Sequence, residues 1–160
     1  STRRRCARRS PRDGVSGWWR DALVDADRIG ARLDRLERLL ERLEEVRSGG
    51  EEAYLTDDRT RAMTERWLQL AIQSCIDVGA QLTSELSVDP PSEYAGVFRA
   101  LGAAGHLPAD LTERLAGAAG LRNILVHMYL DLDDREVFAS LGRLDDLREF
   151  ARVAQEVADR

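Results

Sequence analysis

A chain of 160 residues suits one domain with its own hydrophobic core and needs no metal or disulfide staple to fold. Its 43% hydrophobic and 33% charged residues suit a soluble helical protein, while 6% aromatics and few β-branched residues argue against a sheet. All 24 basic residues are Arg, which excludes Schiff-base and phosphate-loop lysine chemistry, and a net charge of −5 makes a poor general binder of nucleic acid.

The charge is uneven along the chain. Residues 1–23 hold seven Arg against two Asp, net +5, which leaves −10 on residues 24–160. The segment 1–23, with Arg3–Arg5, Arg8, Arg9, Pro11, Gly14 and Gly17, has no helical or strand period. It is read as a basic, flexible extension, with a nucleic-acid-binding arm as the alternative, and residues 24–160 as the folded domain. No apolar run of about 7–15 residues follows the Arg-rich start, so an export signal is not expected. No stretch approaches the roughly 20 apolar residues of a membrane span.

From Val24 the period is helical. Ile29, Leu33, Leu36, Leu40 and Leu43 step by four and three, and Ser48-Gly49-Gly50 marks the end of a first helix. A second helix is expected after Thr56-Asp57-Asp58, running to about Leu86 with Met63, Trp67, Leu70, Ala71, Ser74, Val78 and Leu82 on its apolar face. Cys75 lies within this run and reads as a small core residue. With Cys6 as the only other cysteine, this usage fits a reducing cytoplasm. Val88-Asp89-Pro90-Pro91 stops the helix, and Ser92 with Glu93 opens a short third one. Pro108 stands at the start of a fourth, which runs into Arg122–Tyr129. Asp131–Asp134 separates it from a fifth helix with Val137, Leu141, Leu144, Leu147 and Phe150 apolar. The expected architecture is all-α: an antiparallel four-helix bundle with one additional short helix.

One stretch concentrates chemistry: Arg122-Asn123-Ile124-Leu125-Val126-His127-Met128-Tyr129. The unperturbed pKa of His, near 6.5, suits His127 to acid–base work at neutral pH. The fork of Arg122 suits phosphate oxygens. Asn123 stands four residues before His127 and shares its helix face. At about 100° per residue, Arg122 and His127 are roughly 140° apart around the axis, whereas Arg122 and Tyr129 nearly align. A straight helix therefore does not aim Arg122 and His127 at one phosphate, and a twofold-related second chain would close the gap. By spacing alone, a helical His amid apolar neighbours also fits an ordinary core residue.

The motif resembles the HepT branch of the HEPN superfamily, whose hallmark is Arg, four residues, His, one residue, Tyr. The likeness continues in Glu65–Asp77, in Pro90-Pro91-Ser92-Glu93-Tyr94, in Phe98, in Leu107-Pro108 and in Leu121-Arg122-Asn123, and covers about residues 24–155. The resemblance implies the HEPN fold and a homodimeric endoribonuclease toxin that demands no metal or cofactor. It implies a nucleotidyltransferase antitoxin of the MntA type as partner, which transfers AMP from ATP to the motif tyrosine. Carried onto this chain, His127 is the acid/base, Arg122 holds the scissile phosphate, Asn123 orients, and Tyr129 accepts AMP. The ribose 2′-OH of the RNA is the nucleophile. The alternative is a HEPN dimer that binds protein or nucleic acid without cleaving. His106 reads as a turn residue; Asp77 and Glu65 line the cleft, stand exposed, or pair with Arg66.

Overall fold

The structure is a computed structural model that describes residues 18–89, 91–127 and 130–160, with side-chain surroundings from Asp27 onward. Its elements are α1 (Trp18–Gly49), α2 (Glu51–Thr56), α3 (Asp58–Glu85), α4 (Tyr94–Ala103), α5 (Ala109–His127), α6 (Asp134–Ser140), a 3-10 turn (Leu141–Arg143) and α7 (Leu144–Ala158). The fold is all-α, and the long helices α1, α3, α5 and α7 pack as the four-helix core. Beyond the single short helix expected, which is α4, the chain also forms α2 and α6, and these two pack on each other. No described helix is long and apolar enough to cross a membrane.

The apolar stripe of α1 buries Ile29, Leu36, Leu40 and Leu43, with Leu33 partly covered. The helix begins at Trp18, inside the segment that composition sets apart as 1–23; residues 1–17 lie outside the described residues. Gly50 takes φ +93°, a left-handed conformation that glycine adopts without a Cβ clash, and its carbonyl accepts the first bond of α2 from Tyr54. The Tyr54 ring is buried against Phe138 of α6 at 5.3 Å between centroids. Asp57 caps α3: its carboxylate accepts from the Arg59 N–H at 3.0 Å and the Thr60 hydroxyl at 2.6 Å.

The apolar face of α3 differs from the one expected. Met63 is exposed, and burial runs instead through Thr64, Leu68, Ala71, Ile72, Cys75, Ile76, Val78, Gly79, Leu82 and Thr83. The reason is that α3 is central and touches α1, α4, α5 and α7, so more than one stripe is covered. Cys75 is a core residue, and burial pushes its thiol far above its ordinary pKa. The expected fifth helix is broken into α6, the 3-10 turn and α7. Three residues per turn keep Leu141 and Leu144 on the same side, so both stay buried while the chain changes direction.

Two glycines set the place of α4. A Cβ on Gly79 of α3 would stand 2.7 Å from Val97 Cγ1, and one on Gly102 of α4 would stand 2.5 Å from Thr112 Oγ1 of α5. Hydrogen bonding of the Thr112 hydroxyl to the Pro108 carbonyl, at 2.9 Å, leaves that neighbour little room to yield. Gly102→Ala is expected to destabilise the protein by roughly 1–3 kcal/mol through overpacking, read as a lower midpoint in denaturant unfolding.

The buried Tyr54 hydroxyl has no hydrogen-bond partner, and burial pushes its pKa up to about 12. The folded state therefore holds the neutral phenol, and its contribution is full below the unfolded value of 10.0 and is lost as pH rises toward 12. Tyr54→Phe is expected to preserve or raise the melting temperature at neutral pH and to lessen the loss of stability between pH 10 and 12.

Candidate active site

Arg122, Asn123 and His127 all lie on the last turns of α5. Arg122 is half-buried, whereas Asn123 and His127 are exposed. The Arg122 guanidinium is held from three directions. Its Nε donates to Gln73 Oε1 of α3 at 2.8 Å, its Nη1 donates to Asn123 Oδ1 at 3.3 Å, and its carbon sits 4.8 Å from the centroid of the Tyr94 ring at the start of α4. Such a cation over an aromatic face is attracted by the ring quadrupole.

Gln73 is itself oriented. Its Nε2 donates to Asp77 Oδ1 one turn later, at 2.8 Å, which points the amide oxygen at Arg122. Because the Asp77 carboxylate is an acceptor only, it settles which end of the Gln73 amide faces the arginine. With one edge bonded and one face stacked, the guanidinium has few rotations left. Its remaining donors lie on the terminal nitrogens, the fork that suits an oxyanion.

Asn123 and His127 line a groove of about 700 Å³ with Ser92, Glu93, Tyr94, Ala95, Ala116 and Gly120. Ala116 and Gly120, on the same face of α5, leave room beside the imidazole. Arg122 is not part of that lining, in keeping with the roughly 140° that helix geometry puts between it and His127. Tyr94 links the two, since its ring meets the guanidinium and also walls the His127 groove. The α3–α4 connection presses on this wall: a Cβ on Gly96 would lie 2.8 Å from Pro91 Cβ.

Tyr129 falls outside the described residues. His106 sits in the turn after α4, beside Gly105 at φ +82°, and its N–H donates to the Leu101 carbonyl at 2.9 Å. It borders a small cavity with Leu82, Leu101 and Phe150, away from the motif. Asp77 is exposed and reaches the site through Gln73. Glu65 belongs elsewhere, near Arg61 and Asp134; burial first, and then the Asp134 charge, raise its carboxyl pKa. In the sequence, Gln73 and Tyr94 stand out only as members of stretches that resemble the family, with no role of their own. The four-residue spacing of Gln73 and Asp77 shows that they share a helix face. It carries no sign that Arg122, 49 positions away, docks there. Among the described residues, no group of three His, Cys, Asp or Glu side chains is arranged to hold a metal ion.

Gln73→Leu removes the acceptor on Nε and is expected to free the Arg122 side chain. Hydrogen exchange at Arg122 Nε–H, followed by NMR, should speed up while the fold persists; unchanged exchange would count against this clamp.

A family model described as ribonuclease HepT-like matches residues 36–154. A tRNA nuclease HepT from Aphanizomenon flos-aquae is 33% identical over 114 residues, 71% of this chain and 78% of that protein. An mRNA nuclease HepT from Shewanella oneidensis is 25% identical over 128 residues, 79% and 96% of the two chains. Among solved structures, the tri-AMPylated Shewanella oneidensis HEPN toxin in complex with MNT antitoxin shares the fold. Its TM-score is 0.72 at 23% identity, covering 78% of this chain and 94% of that one. A family match across most of the folded residues, joined to a relative one-third identical, places this protein in the HepT-like ribonuclease family.

Proposed function

We propose that the protein is an endoribonuclease toxin that cleaves RNA by attack of a ribose 2′-OH on the adjacent phosphate, with Arg122 and His127 as its catalytic residues. The observation that carries this reading is the clamped guanidinium of Arg122 beside a groove lined by His127. Family membership and the nuclease names of the relatives support it.

In this mechanism the Arg122 fork holds a non-bridging oxygen of the scissile phosphate and stabilises the charge that builds on it. His127 takes the proton from the 2′-OH, the 2′-oxygen bonds to phosphorus, and the bond from phosphorus to the 5′-oxygen breaks. A proton from an imidazolium then goes to the leaving 5′-oxygen, leaving a 2′,3′-cyclic phosphate. Asn123, bonded to Arg122, orients the cation. The substrate supplies the nucleophile and side chains supply the acid, base and cation, so the route needs no metal.

The site is completed in a homodimer, since Arg122 and His127 of one chain diverge around α5. Support comes from the exposed apolar side chains at the motif: Ile124 is 44% exposed beside Asn123, and Leu130 is 82% exposed just beyond α5. Tyr129 is the AMP acceptor, and the partner that modifies it is an antitoxin nucleotidyltransferase. The solved complex of an AMPylated Shewanella oneidensis HEPN toxin with MNT antitoxin supports that partner. An adenylate on Tyr129, seven residues after Arg122 in the chain, adds negative charge and bulk and opposes RNA binding. The site of action is the cytoplasm. One observation favours a second reading, a dimer that binds without cleaving: the −10 charge on residues 24–160 weakens capture of a polyanion.

Purified protein free of AMP is expected to cut RNA to cyclic-phosphate ends in the presence of a chelator, and His127→Ala to lower the rate by roughly 10²–10⁴-fold. Wild-type cutting by His127→Ala would sink the catalytic assignment, and RNA binding without any cutting would favour the second reading. Co-expression with a nucleotidyltransferase antitoxin of the MntA type should add AMP units to the intact mass, mapping to Tyr129; an unmodified Tyr129 overturns that assignment.

A further inference from the structure

Tyr94 has a surface that the arginine clamp leaves open. Its residue is 40% exposed even with the Arg122 guanidinium over the ring. It lines two adjoining spaces, the groove of about 700 Å³ with Asn123 and His127, and a second of about 510 Å³ with Asp77, Ser84 and Val88. The ring is thus a partition with space beside it, fixed at the start of a helix that Gly79 and Gly102 hold tightly against α3 and α5. A large aromatic exposed in this way has a cost in water that a flat apolar ligand would remove.

The polar groups beside the ring sort the parts of a nucleotide. The cation, Arg122, stands on the ring, while Ser92 and the acidic residue Glu93 line both grooves next to it. A carboxylate repels phosphate but accepts from the exocyclic amino group of a nucleobase. The site's acidity, unhelpful to a backbone, therefore favours a base.

We propose that Tyr94 is a stacking platform for a nucleobase of single-stranded RNA flanking the phosphate held at Arg122, with Glu93 favouring an amino-bearing base over uracil. The proposal rests on the ribonuclease reading for the identity of the ligand. Its residues, Tyr94 and Glu93, are new to that reading. Stacking on an aromatic side chain is worth roughly 1–3 kcal/mol per base, about 5- to 150-fold in affinity, and tolerates exchange among aromatics.

The test is a cycle between protein and substrate. Binding of short single-stranded RNA to His127→Ala protein is measured with intact oligonucleotides and with oligonucleotides made abasic at each position in turn. Tyr94→Leu is expected to weaken binding of the intact RNA by about 5-fold or more, and Tyr94→Trp to preserve it. One abasic position should cause the same loss, and at that position Tyr94→Leu should cost nothing further. Replacing the base there by uracil should weaken binding to wild-type Glu93 but not to Glu93→Gln. Equal losses on intact and abasic RNA would overturn the proposal, because Tyr94 would then only support Arg122. Intact RNA bound equally by Tyr94→Leu and by the parent would overturn it as well, as would no RNA binding at all. The nuclease reading fails by a separate measurement, if wild-type protein cuts no RNA, and the stacking cycle is still decided by binding.

Discussion

The close approach of α4 to its two neighbours is the constraint on which the site depends. Gly79 and Gly102 have no side chain where Val97 and Thr112 stand, so α4 lies against both α3 and α5. That places Tyr94, the first residue of α4, over the Arg122 guanidinium, while α3 brings Gln73 to its Nε. Three helices therefore meet on one cation. A larger residue at either glycine would move the aromatic wall and the arginine apart by the same shift that relieved the clash.

Around this point the polar groups form a chain and not a scatter. Asp77 fixes the Gln73 amide, Gln73 fixes one edge of Arg122, Tyr94 covers a face, and Asn123 meets a terminal nitrogen. A second arginine on α5, Arg114, is spent differently. It pairs with Asp110 at 2.7 Å, Asp146 at 2.8 Å and Glu149 at 3.3 Å, tying α5 to α7. Its partners are carboxylates throughout, so its charge is matched and its role is structural. Arg122 is held mostly by a neutral amide and a ring, which orient a cation without neutralising it. This difference in partners separates an arginine whose charge is matched by carboxylates from one held by an amide and a ring.

The same contrast bears on the acidity of residues 24–160. A strongly acidic body makes diffuse attraction of RNA weak. On the reading proposed above, RNA would be held by one well-oriented cation and by contacts to bases, not by a wide basic surface. A carboxylate such as that of Glu93 is compatible with that division, because it can accept from an amino group but repels a phosphate.

Much was legible before any tertiary contact. The four-and-three steps of Ile29 to Leu43, the glycines at 49 and 50, the cap at Asp57 and the proline before α5 mark local free-energy preferences, which act within a few residues. The Arg122–His127 motif and its angular split are likewise properties of one helix. What the sequence did not reveal depends on packing between distant segments. Met63 is exposed because the apolar face of α3 is defined by the helices packed around it, not by its own period. The 3-10 turn at residues 141–143 parts α7 from α6, whose Phe138 packs on Tyr54 far away in the chain. Gln73 and Tyr94 became site residues only when α3, α4 and α5 came together. Sequence alone determined the Arg122–His127 motif and its place on one helix; tertiary structure alone decided which neighbours hold the arginine still. The physical reason is range: periodicity and capping are set by adjacent turns, whereas a guanidinium is oriented by whatever packs against it from elsewhere in the chain.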